Sequence, residues 1–239
     1  MQSDHEYIRV PDSDRLRGAT SSLWLGYSPN SSRKYKVLRI YTYPMFDHGI
    51  GAHIHDVGSS SWRDVASEPS DHVNWDNNYA FSLNGIKAYW VCRDFIVTFD
   101  FESEIFGEID APPALGRLLR FMSIGVVKDS LCLIGNDSNV VDIWMMKEGS
   151  GEWKKKYSCY DPVENPCPLC RPTKLRPLQE LSTGEILMVS YDRRLVCYNT
   201  KKNRFRSIKL HMMKTNFSVV TFVPSFVSLK DLISLNESK

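Results

Sequence analysis

Apolar residues in this chain fall into short runs, and turn-forming residues separate one run from the next. Helical periodicity is scarce, while alternation of apolar and polar positions is common, which is the pattern of half-buried strands. In residues 81–90, FSLNGIKAYW, two apolar-rich runs flank Asn84-Gly85. Asn-Gly is a strong hairpin signal, because both central residues of a type I′ turn need a positive φ. The pattern therefore predicts a mostly β chain built from hairpins.

The predicted strands recur in sets of four. The sets cover residues 23–65, 81–106, 124–153 and 178–205. An aromatic residue opens the fourth strand of each set, and these residues are Trp62, Phe106, Trp153 and Phe205. Their spacings of 44, 47 and 52 residues are close to the roughly 40–50 residues of a propeller blade. We therefore predict an all-β, β-propeller-like array of four-stranded antiparallel blades whose stacking forms the core, with a β-sandwich as the alternative.

The two ends of the chain differ from the predicted blades. Residues 6–11 have the pattern of the last strand of a blade whose earlier strands are absent, so we expect a truncated first blade. Linkers between blades are expected at 28–34, 68–78, 111–119 and 161–177. The predicted parts are an N-terminal remnant at 1–22, a propeller-like domain at 23–230 and a C-terminal tail at 231–239.

The composition fits a folded protein of a reducing compartment. Hydrophobic residues make up 42% and charged residues 24% of the chain, as in ordinary globular domains. No apolar run approaches the roughly 18 residues of a membrane span, and the first residues do not form a signal peptide. The six cysteines are therefore interpreted as reduced thiols, and we expect a cytoplasmic or nuclear location.

Charge is distributed unevenly along the chain. Residues 1–110 carry 10 basic and 16 acidic side chains, whereas residues 111–239 carry 20 basic and 12 acidic ones. Eight of the basic residues lie between Arg193 and Lys214, in a stretch without acids. Such a stretch can follow a phosphate backbone, but in a hairpin these charges alternate with apolar residues, as on a solvated sheet face. Nucleic acid is therefore not expected as a partner.

The chain contains few residue patterns typical of metal sites or catalytic sites. Cys167-x-x-Cys170 has no second pair, so we interpret it as two loop thiols; a metal site completed by Cys159 and a distant histidine, or a redox pair, is the alternative. His53 and His55 share a strand face without an obvious third ligand. No phosphate loop or nucleophile elbow occurs. We therefore predict no catalytic residue, no cofactor and no metal.

Several motifs together resemble the F-box-associated interaction domain of plant F-box proteins. They are Gly26-Tyr27 followed by Tyr35-Lys36-Val37, Ser61-Trp62-Arg63, Asn84-Gly85-Ile-Lys-Ala-Tyr89-Trp90, Phe99-Asp100-Phe101-Glu102, Asp142-Ile143-Trp144 and Gly184-Glu185-Ile186-Leu187. The order and spacing of these motifs carry the resemblance, which covers roughly residues 20–230. It implies a kelch-type fold that binds a protein substrate for an SCF ubiquitin ligase. In such proteins an N-terminal F-box docks on the Skp adaptor, and no segment before Trp24 matches an F-box.

The resemblance therefore implies a protein-protein interaction module, with a protein substrate of unknown identity as its partner. The Skp adaptor and cullin are expected as partners only if an F-box lies upstream. The alternatives are a kelch-like scaffold in an assembly unrelated to ubiquitin and a propeller glycosidase. Loops on a rigid scaffold are the expected contact regions, and aromatic and basic residues are the expected anchors. The candidates are Tyr43, Met45, Phe46, Trp75, Tyr79, Arg171, Lys174 and Arg176, while Trp62, Trp90, Trp144 and Trp153 are assigned to blade cores.

Overall fold

The structure is a computed structural model of the 239-residue chain. It describes residues 9–12, 20–30, 34–42, 50–67, 69, 81–83, 85–92, 95–112, 122–128, 130–137, 140–147, 150–160, 175–190, 194–208 and 219. All regular structure in these residues is β, and it forms four antiparallel sheets of four strands. The sheets are arranged as the blades of a β-propeller, which confirms the predicted fold class.

Each blade is a meander in which consecutive strands pair. Blade 1 contains β1 (Thr20–Ser28), β2 (Lys34–Thr42), β3 (Ile50–Asp56) and β4 (Arg63–Asp64). Blade 2 contains β5 (Phe81–Leu83), β6 (Lys87–Val91), β7 (Phe95–Asp100) and β8 (Ile105–Asp110). Blade 3 contains β9 (Ser123–Val127), β10 (Ser130–Asp137), β11 (Val140–Lys147) and β12 (Lys154–Tyr160). Blade 4 contains β13 (Leu175–Glu180), β14 (Glu185–Ser190), β15 (Leu195–Asn199) and β16 (Arg204–Ile208).

Two of the predicted linkers were wrong in their boundaries. Ser28 and Lys34, the two ends of the first predicted linker, both lie in strands of blade 1, because β1 and β2 pair directly from Thr20↔Thr42 to Ser28↔Lys34. The last predicted linker ends too late, since β13 already begins at Leu175 and includes Pro177. Pro177 is tolerated at the bulge where the β13–β14 register shifts, which is a position where a strand can accommodate proline.

The core lies between successive blades. In β6, Trp90 and Ala88 pack with blade 1, whereas Tyr89 and Val91 pack with blade 3. In β10 the same alternation directs Leu131 and Leu133 toward blade 2 and the intervening residues toward blade 4. Because neighbouring strand residues point to opposite faces, each central blade contributes to two cores. Stacking therefore buries both faces of a sheet that could bury neither alone.

Tryptophans at the start of fourth strands connect neighbouring segments. The indole Nε1 of Trp153, just before β12, donates to the carbonyl oxygen of Asp110 at the end of β8, 2.9 Å away. The Nε1 of Trp62, just before β4, donates in the same way to the carbonyl oxygen of Pro11, 2.8 Å away. Both tryptophans are half-buried, so they lie at blade borders, whereas Trp90 and Trp144 are buried in cores.

A charged network joins blades 1 and 2, and we call Lys36, Arg63, Glu102 and Glu104 the blade 1–2 clamp. Lys36 is 3% exposed, and its Nζ donates to the Phe101 carbonyl oxygen at 2.9 Å and to Glu104 at 2.7 Å. Arg63 donates to both carboxylate oxygens of Glu104. Burial raises the pKa of Glu104, but the hydrogen bonds from Arg63 and Lys36 outweigh it and hold the pKa below its usual value. Glu104 of blade 2 therefore neutralises Lys36 and Arg63 of blade 1, while Glu102 accepts hydrogen bonds from the Ser28 hydroxyl and the Asn30 backbone N–H.

Candidate partner-binding groove

An open groove of about 510 Å³ lies between the outer parts of blades 3 and 4, and we call it the blade 3–4 groove. Blade 3 supplies its residues from the start of β10, the end of β11 and the start of β12. Blade 4 supplies the end of β13, the start of β14 and the turn after β15. The lining residues are Lys128, Ser130, Met145, Lys147, Ser150, Glu152, Lys154, Lys156, Tyr157, Glu180, Gly184, Ile186 and Thr200.

The groove combines apolar and polar lining. Ile186 is fully buried at 1% exposure, while Met145 and Tyr157 are half-buried. Around them lie hydroxyl groups that can exchange hydrogen bonds with a ligand. Thr200 already donates to the Gly184 carbonyl oxygen at 3.2 Å, so its hydroxyl is held in place. Such a mixture suits an extended peptide, whose backbone needs polar partners while one side chain enters an apolar pocket.

Lysines give the groove its charge. Lys128 is paired with Glu180 of blade 4 at 2.7 Å, and this contact raises the lysine pKa. Lys147, Lys154 and Lys156 are exposed, and the described part of the chain offers none of them an ion pair. Among the described residues, Glu152 and Glu180 are the acids that line the groove. The groove is therefore a cationic surface available to an anion.

Local strand geometry places these lysines. Lys155 of β12 turns away from its two lysine neighbours and binds Asp142 on β11, with Nζ and Oδ2 2.8 Å apart. Lys154 lines the groove on the opposite face of β12 from Lys155. Lys156 lines it as well and lies where the β11–β12 register shifts. The turn between β11 and β12 is fixed by Ser150, whose hydroxyl donates to the Lys147 carbonyl oxygen at 2.8 Å. The cationic rim is therefore held on ordered backbone.

Arg176, the one predicted loop residue that the structure describes, does not line the groove. Of those candidates only Arg176 is described; it lies in β13, and its guanidinium donates to the Val219 carbonyl oxygen at 2.6 Å. The other seven lie outside the described residues, so their role stays a prediction. The sequence did contain a signal for the groove, since Lys154-Lys155-Lys156 follows directly after the fourth-strand Trp153.

The predicted histidine pair is buried and has protein partners. His53 lies on β3 with its Nε2 3.0 Å from Asp64, and His55 contacts the Ser61 carbonyl oxygen at 3.1 Å through Nδ1. Within the described ranges, no group of three or more potential ligands is close enough to hold a metal ion. Cys167 and Cys170 lie outside those ranges.

Four cysteines are described, and all of them are buried and free of disulfides: Cys92, Cys132, Cys159 and Cys197. Burial raises the pKa of Cys92 to about 11 and that of Cys132 to about 12. A thiol is a nucleophile only as its thiolate, so these two groups are unreactive in the folded blades. Within the described ranges, the chain has no helix that is long and apolar enough to cross a membrane.

Comparison with known proteins identifies the family and the relatives to which this chain is similar. The profile of the F-box associated β-propeller domain matches residues 7–229. F-box protein At3g07870 of Arabidopsis thaliana is 31% identical over 185 residues, covering 68% of this chain and 43% of that protein. A second Arabidopsis thaliana F-box protein, At3g21120, is 28% identical over 121 residues, covering 46% of this chain and 32% of that protein. The chain thus spans less than half the length of these relatives.

Among solved structures, YCF48 from Cyanidioschyzon merolae aligns with a TM-score of 0.45 and 9% identity, covering 78% of this chain and 56% of that one. TolB from Acinetobacter baumannii aligns with a TM-score of 0.39 and 8% identity, covering 80% of this chain and 53% of that one. Similarities of this size have no bearing on function.

Proposed function

This chain belongs to the F-box associated β-propeller domain family, a protein-interaction module of F-box proteins, and from that premise we propose that it selects the substrate of an SCF ubiquitin ligase. The observation that carries the proposal is the family profile, which spans residues 7–229. In this role the propeller binds a protein destined for ubiquitylation. Docking on the Skp adaptor is the task of an F-box, and cytoplasm or nucleus is the expected location.

The architecture is suited to substrate selection. The blades bury their hydrophobic residues in continuous cores between them, so residues at the rim can vary without loss of the fold. The blade 3–4 groove offers a ready surface on this scaffold, with apolar and cationic lining. Binding rather than catalysis is the activity we propose, because the groove has the mixed apolar and cationic lining of a recognition surface.

The proposal is tested by substrate turnover in the plant. The 239-residue chain, immobilised, captures candidate partners from extracts treated with a proteasome inhibitor. The lifetime of each captured protein is then measured in plants with and without the gene. We expect at least one captured protein to be ubiquitylated and to persist longer without the gene. If every captured protein keeps its lifetime, the chain is a scaffold and the ligase role is wrong.

Adaptor binding is measured separately with the purified Skp adaptor. The chain alone and the chain joined to the F-box of its relative At3g07870 are compared in a pull-down. We expect capture of the adaptor only with the F-box attached, because the propeller contributes the substrate-binding half. Equal capture by both proteins would place the docking surface on the blades and contradict this division of roles.

A further inference from the structure

Blades 1 and 3 have equivalent cross-strand pairing, so their residues at the blade 1–2 and blade 3–4 interfaces can be matched position by position. In blade 1, Leu38, Ile54 and Arg63 form one cross-strand row. In blade 3, the corresponding row is Cys132, Met145 and Lys154, again one residue after the fourth-strand tryptophan. Counted from these rows, the three clamp-side residues Lys36, Asp56 and Arg63 of blade 1 correspond to Ser130, Lys147 and Lys154 of blade 3. Arg63 and Lys154 therefore share one position, and a second lysine lies on the neighbouring cross-strand pair in each blade, Lys36 opposite Asp56 in blade 1 and Lys147 opposite Ser130 in blade 3.

The facing turns of blades 2 and 4 are also equivalent. Residues 101–104 join a strand that ends at Asp100, and residues 200–203 join a strand that ends at Asn199. In each turn the side-chain oxygen of that last strand residue accepts two backbone N–H groups. The fourth turn residue has a left-handed backbone in both, with φ of 59° at Glu104 and 52° at Asn203. The backbones match, so differences between the interfaces arise from side chains.

The side chains of these two turns carry opposite charge. Blade 2 has Glu102 and Glu104, and Glu104 binds the cations of blade 1. Blade 4 has Lys201 and Asn203 at those positions. Asn203 accepts from the Tyr198 hydroxyl at 2.7 Å and donates to the Ser158 carbonyl oxygen at 3.3 Å, so it contacts backbone of blade 3 rather than its lysines. The described turn of blade 4 therefore supplies no carboxylate to Lys147 and Lys154 of blade 3.

We propose that the blade 3–4 groove binds an acidic segment of the protein partner. Its carboxylates pair with Lys147 and Lys154 as Glu104 pairs with Lys36 and Arg63 at the other interface. An apolar residue of the segment packs against Met145, Tyr157 and Ile186. The occupant is a protein segment because the chain is an interaction module of F-box proteins, so this assignment of partner chemistry rests on the proposed function.

Peptide binding to the purified 239-residue chain tests the proposal. A fluorescein-labelled peptide with Glu and Asp around a central Leu is compared with its Gln and Asn counterpart and with a phosphoserine version. We expect the neutral peptide to bind at least about tenfold more weakly, and added salt to weaken the acidic peptide, since exposed charge pairs are screened. Equal binding of the neutral peptide contradicts the proposal. A phosphoserine peptide that binds more than about tenfold tighter overturns the carboxylate assignment.

Charge reversal locates the binding site. The double substitution Lys147→Glu/Lys154→Glu is expected to weaken the acidic peptide at least about tenfold, because it replaces two attractions by repulsions. The matched control is Arg9→Glu/Arg204→Glu, which makes the same charge change at two exposed residues outside the groove. The control is expected to bind within about twofold of the parent. An equal loss in the control would mean diffuse attraction to a basic protein and would refute the groove.

A graft of the blade 2 acids onto blade 4 tests the equivalence of the two interfaces. The variant Lys201→Glu/Asn203→Glu supplies carboxylates at the positions of Glu102 and Glu104, and Glu104 itself adopts the required left-handed backbone. We expect the grafted carboxylates to form ion pairs with Lys147 and Lys154 and thereby to weaken peptide binding at least about tenfold. Circular dichroism and the unfolding midpoint verify that the graft is folded. Unchanged peptide binding in the folded graft would contradict the correspondence.

These measurements separate the groove from the ligase role. Peptide affinity is measured on the purified chain, whereas the ligase role is read from protein lifetimes in the plant. Loss of acidic-peptide binding with gene-dependent turnover intact would refute the groove and leave the proposed function standing. Specific peptide binding without gene-dependent turnover would support the groove as a binding site and refute the ligase role.

Discussion

The blade 1–2 and blade 3–4 interfaces share a strand register but differ in what separates the blades. At the first, Trp24 packs edge-on against Trp90 with ring centroids 5.1 Å apart. The corresponding position of blade 3 is Gly125, where an added Cβ would lie 2.6 Å from the carbonyl oxygen of Pro177. A bulky aromatic pair therefore spaces one pair of blades, and a glycine allows close backbone approach in the other.

In the outer parts of the two interfaces it is blades 1 and 2 that are in close contact, and blades 3 and 4 that are further apart. The blade 1–2 clamp closes its interface with internal ion pairs, whereas the blade 3–4 interface widens into a groove. The two interfaces have equivalent strands and turns. Where the facing turn carries Glu104, ion pairs stabilise the contact between blades 1 and 2. Where it carries Asn203, a groove remains open between blades 3 and 4. Substitution of a few turn residues can thus move a blade border between structural and binding roles.

The largest expected effect comes from removing the aromatic spacer of blades 1 and 2. Trp90 is fully buried, so Trp90→Ala should lower the free energy of unfolding by about 3–5 kcal/mol through loss of burial and formation of a cavity. Chemical denaturation measures the change. The control Leu23→Ala alters an exposed residue of β1 and should have little effect; similar losses in both variants would contradict the assignment of the core.

Breaking the clamp is expected to have the next largest effect. Glu104→Ala leaves Lys36 buried with only the Phe101 carbonyl oxygen as acceptor, which should destabilise the fold by about 2–3 kcal/mol. The equivalent change in blade 4, Asn203→Ala, removes neutral hydrogen bonds and should cost about 1 kcal/mol. The two values come from urea unfolding. Equal costs at both turns would mean that the acidic turn is not a special stabilising element.

Gly125→Ala tests the close approach of blades 3 and 4. A methyl group there meets the backbone oxygen of Pro177, which cannot move aside like a flexible side chain. We expect a destabilisation of about 1–3 kcal/mol from overpacking. The control Gly151→Ala would report only strain of a positive φ, 67°, in an open position. The thermal unfolding midpoint measures the effect. An unchanged midpoint in Gly125→Ala would show that β9 and β13 can move apart without cost.

Acid should weaken the blade 1–2 interface through Glu104 and should weaken blade 4 through the ion pair between Glu185 of β14 and Arg206 of β16. The folded pKa of Glu104 lies below its usual value of 4.5, and hydrogen bonds from Arg206 lower the pKa of Glu185 to about 2. A depressed folded pKa contributes stability above the unfolded value that is lost as pH falls through the folded value. The thermal midpoint should therefore decline from about pH 4.5 toward pH 2. Glu104→Gln should flatten part of this decline; a midpoint that rises on acidification would contradict the sign.

The smallest effect on stability is expected in the groove. Lys147 and Lys154 are exposed, so Lys147→Ala/Lys154→Ala should shift the free energy of unfolding by no more than about 0.5 kcal/mol. Differential scanning fluorimetry is sufficient for this comparison with Glu104→Ala. A loss as large as that of the clamp variant would show that the lysines have a structural role.

Most of the architecture was predictable, because it depends on local signals. The Asn-Gly turn, the alternation of apolar residues and the recurrent aromatic at Trp62 and Trp153 are each encoded within a few positions. Boundaries were harder where a turn resembles a linker. Residues 28–34 contain Ser, Pro and Asn, and composition alone does not tell a long turn within a blade from a connection between blades.

The groove as a whole was not predictable, although the lysine run at 154–156 marks one of its walls, because the two walls come from distant parts of the chain. Lys154 and Thr200 line the same space although 46 positions separate them in sequence. The most basic stretch of the sequence, 193–214, was interpreted as a solvated sheet face, and within it Arg206 is paired with Glu185. Only the packing of neighbouring blades in three dimensions shows which cations have ion-pair partners within the protein and which remain available to a ligand.

The buried thiols allow the opening kinetics of individual blades to be followed in the unmodified protein. Cys92 lies in blade 2, Cys132 in blade 3 and Cys197 in blade 4, and each is buried. Because a buried thiol must be exposed before it is alkylated, the rate of labelling at each site reports how often that blade opens. Mass spectrometry of the separate peptides would then rank the blades by local stability. The order in which the propeller comes apart would thereby be read from the protein's own chemistry.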